Sequence, residues 1–131
     1  MRILIVDDDK HMRRLVKAML ESEGMECHEA EDGHEALTKA RDLHPSVIVL
    51  DVMLPGLDGY MISRMLKFDE NFADIGIVML TSRSKPSDRR TGLMTGADVY
   101  LTKPFNREDL VSAVRQVAGS TSSEETEQRQ H

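Results

Sequence analysis

Four uninterrupted apolar runs do most to limit what this chain can fold into: Ile3-Leu4-Ile5-Val6, Val47-Ile48-Val49-Leu50, Ile77-Val78-Met79-Leu80 and Val99-Tyr100-Leu101. Each is short, mostly β-branched and free of polar–apolar alternation. Strands covered on both faces have this pattern, and such strands belong to parallel sheets. A weaker run from Met25 to Ala30 alternates more and reads as an edge strand. Between the runs the period becomes helical. Met12, Leu15, Val16, Met19 and Leu20 make a core-facing stripe, which Asp8 or Asp9 can cap at its start and Gly24 can end. Ala36, Leu37, Ala40 and Leu43 mark a second helix, halted before Pro45, and Met61, Ile62, Met65 and Leu66 mark a third. Leu110, Val111, Val114 and Val117 mark the last, opened by Asn106 with Asp109 three residues on.

The segment from Pro86 to Thr95 forms the weakest helix. Pro86 suits a first turn, but Thr91, Gly92 and Thr95 together cost the helix roughly 2 kcal/mol against Ala-like residues. This helix is therefore expected to open most easily. Strand and helix alternate five times, which predicts an open, doubly wound α/β sheet with right-handed crossovers and helices on both faces. A chain of 131 residues fits one domain. That domain is expected over residues 1–118, and the polar, aperiodic stretch 119–131 is expected to be a disordered tail or linker stub.

Composition enters mainly by exclusion. With no Trp and nine Met, the core must be aliphatic. A net charge of -6 leaves no electrostatic footprint for a phosphate backbone, so direct nucleic-acid binding by this segment is not expected. The single Cys27 has no internal disulfide partner, which suits a reducing compartment. The apolar start is too short for a signal peptide or membrane span, so the expected location is the cytoplasm. His11, His28, His34, His44 and His131 show no metal-ligand spacing and read as surface residues.

Ligands of such sheets bind beyond the carboxyl ends of the strands. Asp7 and Asp8 follow the first run, Asp51 the second, Thr81 and Ser82 the third, and Thr102, Lys103 and Pro104 the fourth. Taken singly, each has an ordinary explanation: a helix cap, a turn residue, a strand end, a solvated lysine. Taken together they put three carboxylates, a hydroxyl and an ammonium on one rim. Crowded carboxylates repel one another, and Mg²⁺ relieves this with one or two carboxylates, waters and a phosphate in its shell. A remaining carboxylate can attack phosphorus to form an aspartyl-phosphate, while the cation offsets charge on the phosphoryl oxygens. A lysine and a threonine hydroxyl can hold the other oxygens. Asp51, which ends a central run, is the best nucleophile.

With these residues on the rim, the chain resembles the receiver domain of bacterial two-component response regulators over about residues 2–118, through ILIVDDD, VIVLDVMLPGLDG, IVMLTSR and GADVYLTKPF in that order and spacing. The resemblance implies a flavodoxin-like five-stranded parallel sheet of order 2-1-3-4-5 with five helices. It implies Asp51 as phosphoacceptor, assisted by Lys103 and Thr81. Mg²⁺ or Mn²⁺ would be held by Asp8, Asp51 and the backbone carbonyl of Met53, with Asp7 acting through water. Thr81 and Tyr100 would be the switch pair, with Tyr100 turning inward as Thr81 moves and the fourth helix, fifth strand and fifth helix presenting a changed surface. The Lys103–Pro104 bond would be cis, and Asp9 would only cap the first helix. Met53 and Arg83 would tune phosphoryl lifetime. The partners implied are a sensor histidine kinase or histidine phosphotransfer protein, a downstream protein or output domain, and a second copy on phosphorylation. Self-catalysed phosphorylation and dephosphorylation would make it a signalling protein rather than a dedicated enzyme. Two alternatives stay open on the residues alone. A phosphatase of the haloacid-dehalogenase type uses the same groups, but its nucleophile ends the first strand in a pattern that Asp7 to His11 do not complete. A receiver-like module with a dead site would lack part of the set.

Overall fold

A computed structural model describes the backbone of residues 1–130 and the side chains of residues 1–118; the last helix continues into the segment read as a tail, of which residue 131 lies outside the described residues. The elements in chain order are β1 (Arg2–Val6), α1 (Lys10–Glu21), β2 (Glu26–Ala30), α2 (Gly33–Leu43), β3 (Val47–Leu50), α3 (Gly59–Lys67), β4 (Gly76–Thr81), α4 (Pro86–Met94), β5 (Val99–Thr102) and α5 (Arg107–Gln130). The strands form one parallel sheet in the order β2-β1-β3-β4-β5. The strand order reverses at β1 and β3, whose last residues pair as Val6 with Leu50. The acidic residues that follow both strands therefore emerge side by side at the switch point, where such sheets bind ligands.

Three of the apolar runs are buried along their length because helices cover both faces, whereas in the fourth, on the edge strand β5, Tyr100 is buried and Val99 and Leu101 are half-buried. Ile3, Ile5, Val47, Val49, Val78 and Leu80 face α1 and α5, packing on Val16, Leu20, Leu110 and Val114. Leu4, Val6, Ile48, Leu50, Ile77, Met79 and Tyr100 face the other way, toward Ala36 and Ala40 of α2 and Ile62 and Leu66 of α3. Helix starts follow the expected chemistry. Asp9 Oδ1 accepts the His11 and Met12 N–H groups, and Asn106 Oδ1 accepts the N–H of Asp109 at 2.7 Å. After α1, Gly24 turns the chain with φ +84°, a region favouring glycine.

Two helical stripes are narrower than the sequence pattern suggests. On α1, Leu15 is exposed while Val16 and Leu20 are buried. On α3, Met61 and Met65 are exposed, and the inner face is Ile62, Ser63 and Leu66 instead. Ser63 enters this face because its hydroxyl donates to the Thr95 carbonyl at 3.3 Å, tying α3 to the end of α4. The weak fourth helix buries a single residue along its length, Gly92.

Candidate functional site

The rim of the sheet is assembled by backbone bonds before any side chain acts. The Asp51 N–H donates to Val6 O at 3.0 Å, and the Lys103 N–H donates to Thr81 O at 2.8 Å. Strand ends are thereby locked in step, and four of the predicted residues converge. Lys103 Nζ donates to Asp7 Oδ2 at 2.8 Å and to Asp51 Oδ2 at 3.2 Å. Asp7 Oδ1 accepts the Asp9 N–H at 2.9 Å, and Asp51 Oδ1 accepts the Met53 N–H at 3.0 Å. Carboxylate oxygens of Asp7, Asp8 and Asp51 all lie within 4.8 Å of one another. The Lys103–Pro104 peptide is cis, as expected.

Burial divides the acids. Asp7 and Asp51 are 4% and 6% exposed, whereas Asp8 is exposed and has no hydrogen-bond or ion-pair partner among the described residues. Burial pushes the Asp7 carboxyl above the usual carboxylate range, against the opposing hydrogen bonds from Lys103 and the Asp9 N–H and against the lysine's charge. Burial also pulls on Lys103, in the downward direction, but its hydrogen bond to Asp7 and the charges of Asp51 and Asp7 outweigh it, so its pKa is raised and the ammonium is kept. The resulting site has one wet carboxylate, two dry ones and a captive cation between the dry pair. The donor set is all oxygen and carries more negative charge than one lysine neutralises. That fits a hard divalent cation such as Mg²⁺, with Asp8 on the open side.

One further close approach fixes the loop that follows Asp51. A Cβ on Gly59 would stand 2.2 Å from the Asp51 carbonyl oxygen, so α3 can begin under Asp51 only with glycine at this position.

Comparison with known proteins agrees with this geometry. The response regulator receiver domain family matches residues 3–115. The chain belongs to that family. PilG of Pseudomonas aeruginosa is 36% identical over 88% of this chain and 85% of its own length. The phosphate regulon transcriptional regulatory protein PhoB of the same organism is 43% identical over 91% of this chain, which spans only 52% of PhoB. Among solved structures, the receiver domain of Francisella response regulator 1452 has a TM-score of 0.85 at 32% identity, covering 92% of this chain and 98% of that one. Chemotaxis protein CheY4 of Vibrio cholerae has a TM-score of 0.82 at 34% identity, covering 88% of this chain and 97% of that one.

Within the receiver domain, the two other predicted positions lie on β4 and β5. Thr81 is fully buried, and its Oγ1 accepts the Arg83 N–H at 3.3 Å. Tyr100 is already inward at 2% exposure, with its hydroxyl donating to Arg83 O at 2.9 Å. Burial raises its phenol pKa. The Tyr60 hydroxyl stands 3.5 Å from that of Tyr100 and donates to Asp88 O on α4 at 3.1 Å. Arg89 reaches back from α4 to Tyr100 O at 3.1 Å. The inward ring lies directly against Gly92, where a Cβ would meet Tyr100 Cδ2 at 2.6 Å and Cε2 at 2.7 Å. Ser82 is exposed and donates to Met53 Sδ at 3.5 Å, linking the segment after β4 to the segment after β3. Sequence reasoning missed Tyr60, Arg89 and Gly59. For Gly59 a signal existed, a glycine directly after the capping Asp58. For Tyr60 and Arg89 none did.

Proposed function

We propose that this receiver domain is a phosphorylation-activated switch that accepts a phosphoryl group on Asp51 from a sensor histidine kinase or a histidine phosphotransfer protein. The observation that carries the reading is the bridge of Lys103 between Asp7 and Asp51, with Asp8 open beside them. In the transfer, an Asp51 carboxylate oxygen forms the new O–P bond as the donor's P–N bond breaks, and the departing imidazole keeps the electron pair and takes up a proton. Asp8, Asp51 and the Met53 carbonyl would hold Mg²⁺, or Mn²⁺, with Asp7 acting through water; the bound cation offsets charge on the phosphoryl oxygens. Lys103, being charged, passes from the Asp51 carboxylate to a phosphoryl oxygen without changing protonation state. Thr81 supplies a hydroxyl from the neighbouring strand end.

The phosphorylated side chain carries roughly -1.5 to -2 charge at neutral pH in place of the carboxylate's single charge, and adds phosphoryl oxygens as acceptors. Thr81 gives up the Arg83 N–H to donate to it. The Arg83 segment, which also holds the Tyr100 hydroxyl, shifts with it and alters the surface of α4, β5 and α5. That surface would meet a downstream protein, an output domain or a second copy. The chain is then a signalling protein rather than a turnover enzyme, and on this reading we assign it to the cytoplasm. Among the described residues, no helix is long and apolar enough to cross a membrane.

Incubation with acetyl phosphate and Mg²⁺, followed by intact mass, tests the reading. One phosphoryl group is expected on the wild type and none on Asp51→Asn. Equal gain on both, or sustained turnover of a phosphomonoester, overturns it.

A further inference from the structure

Each acid at the rim is held in place differently. The Asp7 carboxylate is gripped by Lys103 and the Asp9 N–H, and that of Asp51 by Lys103 and the Met53 N–H. The Asp8 side chain has no such partner among the described residues, so among the three acids it alone takes its placement from the backbone that carries it. The peptide that precedes Asp8 carries the Asp7 carbonyl, and that oxygen accepts a hydrogen bond from Arg13 Nη1 at 2.7 Å. The same guanidinium donates through Nε to Glu29 Oε1 at 3.1 Å. Its side chain is only 12% exposed. Glu29 is anchored in turn: Lys17 Nζ lies 3.6 Å from Oε2, and Lys39 Nζ donates to the Glu29 carbonyl. Arg13 therefore joins the first turns of α1, the end of β2 and the peptide between the two acids.

We propose that Arg13 is a positioning residue for the divalent cation, acting through the Asp7–Asp8 peptide to aim the otherwise unrestrained Asp8 carboxylate. The inference rests on the metal reading given above. A guanidinium suits the task because its rigid fork serves two acceptors at once, whereas a lysine ammonium is a point charge on a flexible stem. Partners of this outer kind typically alter metal affinity by roughly 10–100-fold when removed. A merely structural staple would instead lower thermal stability and leave the affinity alone.

The test is isothermal titration of Mg²⁺ into the wild type, Arg13→Gln and Arg13→Lys, with melting curves of the metal-free proteins alongside. Arg13→Gln is expected to weaken Mg²⁺ binding roughly tenfold, and Arg13→Lys to recover only part of the loss. If the glutamine variant fails to fold, Arg13→Lys carries the test alone, with weaker binding than wild type expected. Wild-type affinity in a folded Arg13 variant, whatever its melting temperature, overturns the role of Arg13 while leaving the metal site standing. Absence of Mg²⁺ binding by the wild type itself overturns the metal reading and this inference together.

Discussion

Replacing Gly92 by alanine should have opposite effects on stability depending on whether Tyr100 is present. In an ordinary exposed helix position, Gly→Ala is stabilising by about 0.8–1 kcal/mol. At position 92 the new methyl would stand 2.6 and 2.7 Å from two Tyr100 ring carbons and 2.9 Å from Met79 Sδ, all below the separation real Cβ atoms tolerate. The ring is 2% exposed and its hydroxyl is tethered to Arg83 O, so it cannot yield by a small rotation. Overpacking of this kind costs about 1–3 kcal/mol. The net effect of Gly92→Ala in the wild type should thus lie between zero and a loss of about 2 kcal/mol. In a Tyr100→Ala background the ring is gone and flexible Met79 can move aside, so the same substitution should gain close to the full helix-propensity term, about 1 kcal/mol. Urea unfolding of the four proteins measures the cycle, with an expected coupling of roughly 1–3 kcal/mol between the two sites. Equal stabilisation by Gly92→Ala in both backgrounds would show that Tyr100 does not occupy the space against α4, and the switch geometry built on it would fail.

Mg²⁺ should raise the melting temperature, by a free energy of roughly 1.4 kcal/mol at ten times its dissociation constant, and Asp51→Asn should shrink that shift. The shift should also fade with acidity. The pKa of Asp7 is raised in the folded state, so as pH falls the folded protein takes up this proton before the unfolded chain does. The proton favours folding in that window while competing with the cation, so scans from neutral to mildly acidic pH should lose Mg²⁺ stabilisation; a constant shift across that range would contradict the assignment. Gly59→Ala, with its Cβ 2.2 Å from the Asp51 carbonyl, should displace the acceptor and suppress acetyl phosphate labelling as well as stability; normal labelling would contradict that contact. Burial pushes the Cys27 thiol up to about 11, so at pH 8 a thiol-disulfide reagent should label the native protein at least a hundredfold more slowly than the urea-unfolded chain, whereas similar rates would refute its burial.

The strands and the acids were legible for a shared reason. A strand covered on both faces leaves an unbroken β-branched run, and the residue that ends it lies at the functional rim. Asp7, Asp51, Thr81 and Lys103 could therefore be located from local sequence alone. Leu15, Met61 and Met65 misled because an apolar residue at helical spacing extends a stripe whether or not a neighbour covers it, and here the sheet covers one edge of each stripe, Val16 and Leu20 on α1 and Ile62 and Leu66 on α3. Ser63 went unseen because its burial depends on a carbonyl 32 residues away. Arg13 was equally silent, since its meaning comes from Glu29 on β2 and from a backbone oxygen with no sequence signature. Gly92 looked like a tolerated weakness in a poor helix. Its smallness is instead imposed by the aromatic ring beneath it, a constraint that appears only once β5 is set against α4.

The alternation along β5 sends Tyr100 into the layer with α2 and α3, while Val99 and Leu101 pack into the layer with α1 and α5. The sheet thus works as a partition wall with independent packing on its two sides. A swing of Tyr100 would empty volume on the α4 side and leave the aliphatic contacts beneath α1 undisturbed. A partner gripping α1 itself would feel the same surface before and after the event, and one reading α4 would not. Such a domain can be written to across one wall and read across the other without the two visitors competing for the same mobile part.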